Sequence, residues 1–385
     1  MLCDYFDAGV CRSCTLMGVE YAAQLADKDA SVRARLAEVV PAAAWTDPFA
    51  SNETAFRNKA KLVVGGRRGA PVLGILDDST RVVDLTQCGL YEPGLRDTVT
   101  RLPGLVAELG LTPYDVATRN GELKHLLVTH SPDGELMLRF VLRSEGQLGR
   151  LRERVPTISD VLPTTRVVTA NILPEHKAVL EGDVEFVLSE QDSLPMQVNG
   201  IRLHLRPRSF FQTNTAVASG LYRQAQDWLS EHESRTLWDL YCGVGGFALH
   251  AMTAHTPPRE VVGIEVSAEA VASARRSAQE LADRTPLPRN GFHAGDATAY
   301  ALDNAAPDTV VVNPPRRGIG PALAHWLESE RTVERVLYSS CNADSLARDL
   351  GEMPSLRPTR ARLFDMFPQT RHHEVLVLLE RRPAS

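Results

Sequence analysis

"RTLWDLYCGVGGFALHAMTAH", residues 235–255, passes from an apolar, strand-like stretch through glycines 243, 245 and 246 into a helical pattern. A strand, a glycine turn and a helix in that order open an α/β unit. Glycines at such a turn allow a tight bend and close backbone approach to a ligand at the carboxyl edge of a sheet. The residues on either side continue the theme. "TAVASGLYRQAQDWLSEH" reads as a helix, "EVVGIEVS" as a second strand and "EAVASARRSAQELA" as a helix. "DTVVVNPPR" and "RVLYSSC" read as later strands, and "HHEVLVLLE" closes the sheet. Alternating strands and helices predict a parallel sheet covered by helices over residues 206–385.

Taken alone, the glycine loop fits a nicotinamide dinucleotide, S-adenosylmethionine or plain packing. The next strand ends in "GIEVS", placing Glu265 where a carboxylate can accept hydrogen bonds from both ribose hydroxyls. The glycine spacing is G-V-G-G and not the dinucleotide G-x-G-x-x-G, and Asp239 precedes it on the strand. This layout is similar to that of class I S-adenosylmethionine methyltransferases. Asp296, in "HAGDAT", sits where the third strand of that fold meets the adenine ring.

Residues 1–205 read differently. A cysteine-bearing segment is followed by a helix over "EYAAQLADKDASVRARLAEVV" and then by a β-rich region with strands at "FRNKAKLVVGG", "PVLGILDD", "TRVVDL", "LKHLLVTH" and "LMLRFVLRS". "GQLGRLRERVPTI" reads as a helix, and "VLEGDVEFVLSE" and "IRLHLRPRSF" as further strands. A chain of 385 residues exceeds one ordinary core, so two domains are expected, divided near residue 205. No apolar run approaches the ~20 residues that span a bilayer, so no membrane partner is expected. Asp4 and Asp7 stand where a signal peptide would be basic, which predicts a cytoplasmic protein with reduced cysteines. The net charge of −6 does not advertise a nucleic-acid binder, but local basic patches decide that question.

Cys3, Cys11 and Cys14 form C-x7-C-x2-C, with Cys88 further on. Four thiolates can hold tetrahedral zinc or an iron–sulfur cluster, and spacing does not separate the two. The plainer alternative is four unrelated buried cysteines. In the second half, "VVVNPPRRG" places Asn313 at a strand end in a proline-stiffened loop. In amino-group methyltransferases an aromatic residue follows N-P-P to stack the target. Arg316 stands there instead, which argues against N-methylation. Cys341 follows "RVLYSS" at the edge where such sheets react. It could pack, bind a metal or act as a nucleophile. Glu374 begins a strongly apolar strand behind two histidines, either as a solvated strand end or as a working carboxylate.

In combination, "SFFQTN", "DLYCGVGGF", "VNPPRRG", "YSSCN", "DMFPQTRHHEV" and the four N-terminal cysteines resemble the RNA uracil-C5 methyltransferase family over essentially the whole chain. The resemblance implies a class I, Rossmann-like catalytic sheet preceded by an α+β region with a [4Fe–4S] segment ligated by Cys3, Cys11, Cys14 and Cys88. It implies that Cys341 is the nucleophile and Glu374 the base that removes the C5 proton. It implies that Gln212, Tyr241, Glu265 and Asn313 bind S-adenosylmethionine, beside Gly243 and Asp296. A thiolate adding to C6 makes C5 of uracil nucleophilic, and a base must then take the C5 proton. The target uridine must leave any stack.

Many relatives carry a small β-barrel module ahead of the cysteines, and none fits before Cys3. That short start, with "FRNKAK" and "VNPPRRGIG", is similar to the branch that methylates uracil 747 of 23S rRNA. The expected partner is therefore 23S rRNA and not DNA. Arg57, Lys59, Lys61, Arg67 and Arg68, then Arg206 and Arg208, then Arg316 and Arg317, are the local basic groups, with Phe210 or Phe211 available for stacking. A rival of another class is a non-enzymatic iron–sulfur RNA-binding protein on the same fold. It leaves the coexistence of cofactor loop, thiol and carboxylate unexplained.

Overall fold

The computed structural model describes residues 1–176 and 179–382. They form two compact units, one of residues 1–18 with 53–196 and one of residues 19–52 with 197–385. Among the described residues, no helix is long and apolar enough to cross a membrane.

The first unit is built on seven strands: β1 (Lys59–Arg67), β2 (Ala70–Leu76), β3 (Val82–Asp84), β4 (Leu123–His130), β5 (Leu136–Leu142), β6 (Thr165–Ile172) and β7 (Val184–Val187). Their spatial order is β3-β2-β1-β4-β5-β6-β7. Helix Pro93–Leu109 lays Leu95, Val99, Leu102, Val106 and Leu109 on the sheet at helical spacing, against Leu62, Val64, Leu126 and Phe140. Where the sequence reads one helix across residues 146–158, there are two, Leu148–Glu153 and Val155–Val161. Pro156 has no N–H to donate within a continuing helix, so it starts a new one in its first turn. Strands β8 (Leu194–Val198) and β9 (Ile201–Leu205) form a two-stranded ribbon.

The second unit carries the expected α/β sheet, with strands β10 (Thr236–Leu240), β11 (Glu260–Glu265), β12 (Arg289–Ala294), β13 (Thr309–Val312), β14 (Arg335–Ser340), β15 (Leu356–Phe364) and β16 (Glu374–Arg381). The order is β12-β11-β10-β13-β14-β16-β15. Strands β12 to β14 run parallel, whereas β16 pairs antiparallel with both β14 and β15. The central strands are buried along nearly their whole length and mostly apolar, as a sheet covered on both faces requires. From β10 the chain moves outward to β11 and β12, then crosses to β13 on the other side. The crevice at that reversal, outside the carboxyl ends, is where such sheets take ligands.

Two placements follow from the register. Strand β16 runs against β14, so its first residue lies at the carboxyl edge of the parallel strands. Ser340 is paired with Val375, which sets Cys341 and Glu374 at the same end of the same strand pair. Helix Tyr21–Arg35, although early in the chain, buries Val32 in the core of this second sheet.

Candidate active site

The glycine loop is shaped by its backbone. Tyr241, Gly243 and Gly245 have φ of 74°, 53° and 88°, a left-handed region that glycine enters freely and tyrosine rarely does. Asp239 anchors the loop from below. It is fully buried, and its Oδ2 accepts a 3.0 Å hydrogen bond from the Ala248 N–H in helix Gly246–Met252. Its Oδ1 is buried without a partner. Burial pushes its carboxyl up to about 7, the Glu265 charge adding to the shift. Gly246 leaves no room for a side chain, since a Cβ there would lie 2.5 Å from Tyr222 Oη.

Glu265 ends β11 and holds the loop from the other side. Its Oε2 accepts from Gly243 N at 3.2 Å and its Oε1 from Ser267 N at 3.0 Å. Both oxygens retain free lone pairs for the two hydroxyls of a ribose. Asp296 caps helix Ala297–Asp303 by accepting from Ala299 N at 2.9 Å. It also lies within electrostatic reach of Tyr241, whose phenol is raised by burial first and by Asp296 second. Asn313 follows β13 directly. Gln212 is buried two residues before Asn214, which caps helix Thr215–Ser230 through a bond from Val217 N. Glu265, Asp296 and Asn313 thus lie at or just past the carboxyl ends of β11, β12 and β13, the edge where such sheets take ligands.

Cys341 and Glu374 form the second group. Glu374 is 3% exposed, and its Oε1 accepts a 2.6 Å hydrogen bond from Ser339 Oγ. Burial raises its carboxyl to about 7, and the serine hydrogen bond opposes that rise. Cys341 lies between β14 and Asn342, the cap of helix Ala343–Gly351, and is partly exposed. Burial pushes its thiol up, and Glu374 adds to the push. The nearby Arg316 guanidinium pulls it down. A half-open thiol between a cation and a carboxylic acid has the surroundings of a reactive group.

The loop of Arg316 is fixed from outside. Asn342 Nδ2 donates to the Arg316 carbonyl at 3.0 Å. Asp349, 2% exposed, accepts from Ile319 N at 2.8 Å and from Tyr338 Oη at 2.7 Å. Ser339, Asp349 and the contact of Arg316 with the thiol were not singled out from the sequence. A serine inside an otherwise apolar strand, directly before "SC", is the one local signal for the first.

The four N-terminal cysteines all lie in the first unit. Among the described residues, no three His, Cys, Asp or Glu side chains are arranged as a ligand group for a metal ion. The thiols do sense one another. Cys14 is raised to about 11 by burial and then by Cys88, Cys11 and Cys3, and Arg57 opposes the rise. Cys88 responds to Cys11 and Cys3 in the same way, after burial. Cys14 and Cys88 sit with Phe56, Leu90 and Met17 in a small apolar cluster. Lys59 and Lys61 alternate along β1 with buried Ala60 and Leu62, so they share the face away from the helix.

Residues 175–382 match the family model described as tRNA (Uracil-5-)-methyltransferase. The chain is 49% identical, over 99% of its length and 100% of the relative's, to the 23S rRNA (uracil(747)-C(5))-methyltransferase RlmC of Cronobacter sakazakii. It is 47% identical over the same shares to the protein of that name from Yersinia pestis. Among solved structures it is similar to the Pyrococcus abyssi tRNA (uracil-54, C5)-methyltransferase, crystallised with S-adenosyl-L-homocysteine. That likeness has a TM-score of 0.77 at 23% identity, covering 95% of this chain and 85% of the other, and it shows a shared fold.

Proposed function

The chain belongs to the tRNA (uracil-5-)-methyltransferase family, a family of S-adenosylmethionine-dependent enzymes, and we propose that it methylates C5 of one uridine in 23S rRNA, uracil 747. Support for the substrate is the likeness to rRNA enzymes along the whole chain. The observation that carries the chemistry is the pair of Cys341 and Glu374 at one strand end, with Arg316 on the thiol and Ser339 on the carboxyl.

In this reading Cys341 acts as a thiolate, stabilised by Arg316, and its sulfur bonds to C6 of the uracil. The C5–C6 π electrons move onto C5 and the O4 enolate. S-adenosylmethionine, when bound, supplies an electrophilic methyl group. The electron pair on C5 would form the bond to that methyl, while the methyl–sulfur bond breaks with its pair going to the sulfonium sulfur, which leaves as a neutral thioether. Glu374, ionised, then removes the C5 proton. The C5–H electrons restore the double bond, and the S–C6 bond breaks to return the thiolate. Gln212, Tyr241, Gly243, Glu265, Asp296 and Asn313 hold the cofactor. Its ribose goes to Glu265, and the glycine backbone lets it approach closely.

The catalytic part is the unit of residues 19–52 with 197–385, and the iron–sulfur and RNA-binding part is the unit of residues 1–18 with 53–196. Cys3, Cys11, Cys14 and Cys88 would hold a [4Fe–4S] cluster, and their mutual electrostatic influence supports that grouping. Bound there, it would cross-link the N-terminal turn to the segment after β3, and no step of methyl transfer runs through it. Lys59 and Lys61 offer charge to phosphates, and Phe210, 70% exposed, offers a ring for a splayed base.

The test uses a 23S rRNA fragment with 5-fluorouridine at 747. Fluorine at C5 cannot leave as a proton, so the reaction stops as a covalent adduct. A denaturation-resistant complex that needs S-adenosylmethionine and is absent in Cys341→Ala is the expected result. No adduct from protein that binds the cofactor would overturn the reading. Iron and sulfide analysis of anaerobically purified protein, with Cys11→Ser as control, tests the cluster separately.

A further inference from the structure

Glu374 ends a connection of nine residues, 365–373, that joins β15 to β16. One face of helix Tyr21–Arg35 grips this connection. Tyr21, Gln24 and Lys28 stand at i, i+3 and i+7, which places them in one row. Lys28 Nζ donates to Asp365 Oδ1 at 2.5 Å and to the Phe367 carbonyl at 3.3 Å. Tyr21 Oη donates to Asp365 Oδ2 at 3.0 Å. Gln24 Nε2 donates to Gln369 Oε1 at 3.0 Å, and Gln24 Oε1 accepts from Gln369 N at 3.0 Å. Gln369 is held at φ 66°, the left-handed region a glutamine seldom occupies.

The four side chains at the centre of the clamp are out of water. Lys28 is 6% exposed, Asp365 0%, Gln24 2% and Gln369 1%. Burying an ammonium and a carboxylate is expensive even when they are paired, so such a pair is weak evidence for general stability. The connection also reaches the thiol side of the site. His372 Nδ1 accepts from Arg316 Nη2 at 3.4 Å, and the Arg316 charge acts on Cys341. Asn214, two residues past Gln212, donates to the Met366 carbonyl at 3.4 Å and to Ser51 Oγ, while Ser51 N donates to Tyr21 Oη.

We infer that Lys28 and Gln24 are positioning residues for proton removal: they clamp the 365–373 connection so that Glu374 meets C5 of the methylated adduct. The inference rests on the assignment of Glu374 as the base. It predicts a separation that a merely structural role would not produce. Loosening the clamp slows adduct breakdown and leaves adduct formation by Cys341 nearly intact.

The experiment is a quenched single turnover on unmodified 23S rRNA fragment, following covalent adduct and free methylated RNA with time. Variants are Gln24→Ala, Lys28→Met and the double change Lys28→Met with Asp365→Asn, which removes both buried charges together. Adduct breakdown is expected to slow about 10- to 100-fold, the scale of a small misplacement of a reacting group, while adduct formation changes by less than about threefold. Lys28→Met leaves Asp365 buried and unpaired, so if it fails to fold, Gln24→Ala and the double variant decide. Breakdown at the wild-type rate in both, or formation and breakdown falling by one common factor, overturns the inference. Glu374→Gln is run beside them. Adduct trapped there but not in the clamp variants sinks the clamp alone, and no trapping there removes the base assignment and the clamp with it.

Discussion

Ser339 Oγ donates a 2.6 Å hydrogen bond to Glu374 Oε1, two buried side chains on neighbouring antiparallel strands. Ser339 is paired with Leu376, and Glu374 lies two residues before it, so both side chains point to the same face. The hydroxyl favours the ionised carboxylate, while burial favours the neutral acid, and burial wins. A base has to be ionised to take a proton, so the serine keeps Glu374 usable near neutral pH.

Ser339→Ala removes that bond. A hydrogen bond to a buried charge is worth about 1.5–3 kcal/mol, which is one pKa unit or more. Breakdown of the adduct should slow about fivefold at pH 7 and recover as the pH is raised. The acidic limb of the pH–rate profile moves upward by about one unit, with Cys341 reactivity unchanged. Superimposable profiles for the two proteins would show that the serine does not tune Glu374.

Glu374→Gln should make the protein more stable at alkaline pH. The folded carboxyl titrates at about 7, against a reference value of 4.5 for the free side chain. Below the lower value both states hold the proton and nothing is lost. Between the two, the unfolded chain releases its proton and the folded one does not, so stability falls as pH rises. Above the higher value the burial penalty is fully felt, on the order of 3 kcal/mol. Urea melts of both proteins should diverge from pH 5 to pH 8 and coincide near pH 4. A constant gap at every pH would mean packing and not ionisation separates them.

Gly318→Ala should injure RNA use and spare the cofactor. Gly318 has φ 86°, and a Cβ there would lie 2.1 Å from Asp349 Oδ2, the oxygen that accepts from Ile319 N and Tyr338 Oη. The loop would have to shift, carrying Arg316 off the thiol. The value of kcat/KM for RNA should fall about 10- to 100-fold. Calorimetry with S-adenosylmethionine should give an unchanged Kd. Loss of cofactor affinity would mean that the shift runs back along the loop to Asn313.

How much of this was open to sequence reading depended on burial pattern. The central strands β10, β13 and β14 are covered on both faces, so their apolar runs stand out in the chain. Strand β15 did not, because "LRPTRARLF" holds Pro358 and three arginines on an edge, with a register shift between Pro358 and Arg360. Helix Pro93–Leu109 was hidden by Pro103 in its interior and Gly94 near its start, although its apolar spacing is regular. Cys341 and Glu374 stand out as candidates because each interrupts a patterned strand end. The clamp does not, since "YAAQLADK" looks like any mixed-charge helix. Nothing local says that Lys28 meets Asp365 from 337 positions away.

Glu265→Gln gives the sharpest test of the cofactor crevice, because the substitution keeps the size of the side chain and changes only its chemistry. The carboxylate has two oxygens, and each accepts from a backbone donor, Gly243 N and Ser267 N. A carboxamide has one oxygen and one NH2 group. Whichever way it turns, its nitrogen faces one of those N–H groups, donor against donor. If it faces Gly243, the loop loses its tie to β11. If it faces Ser267, helix Ala268–Ala282 loses a bond ahead of its first turn. In both cases only one oxygen remains for the two ribose hydroxyls. The Kd for S-adenosylmethionine should rise about 10- to 100-fold, the range expected when one or two charge-assisted hydrogen bonds are lost. Binding of unmethylated rRNA fragment, measured without cofactor, should not change. A Kd within twofold of wild type would mean that the ribose does not lie on Glu265, and the cofactor would have to be sought elsewhere along the crevice.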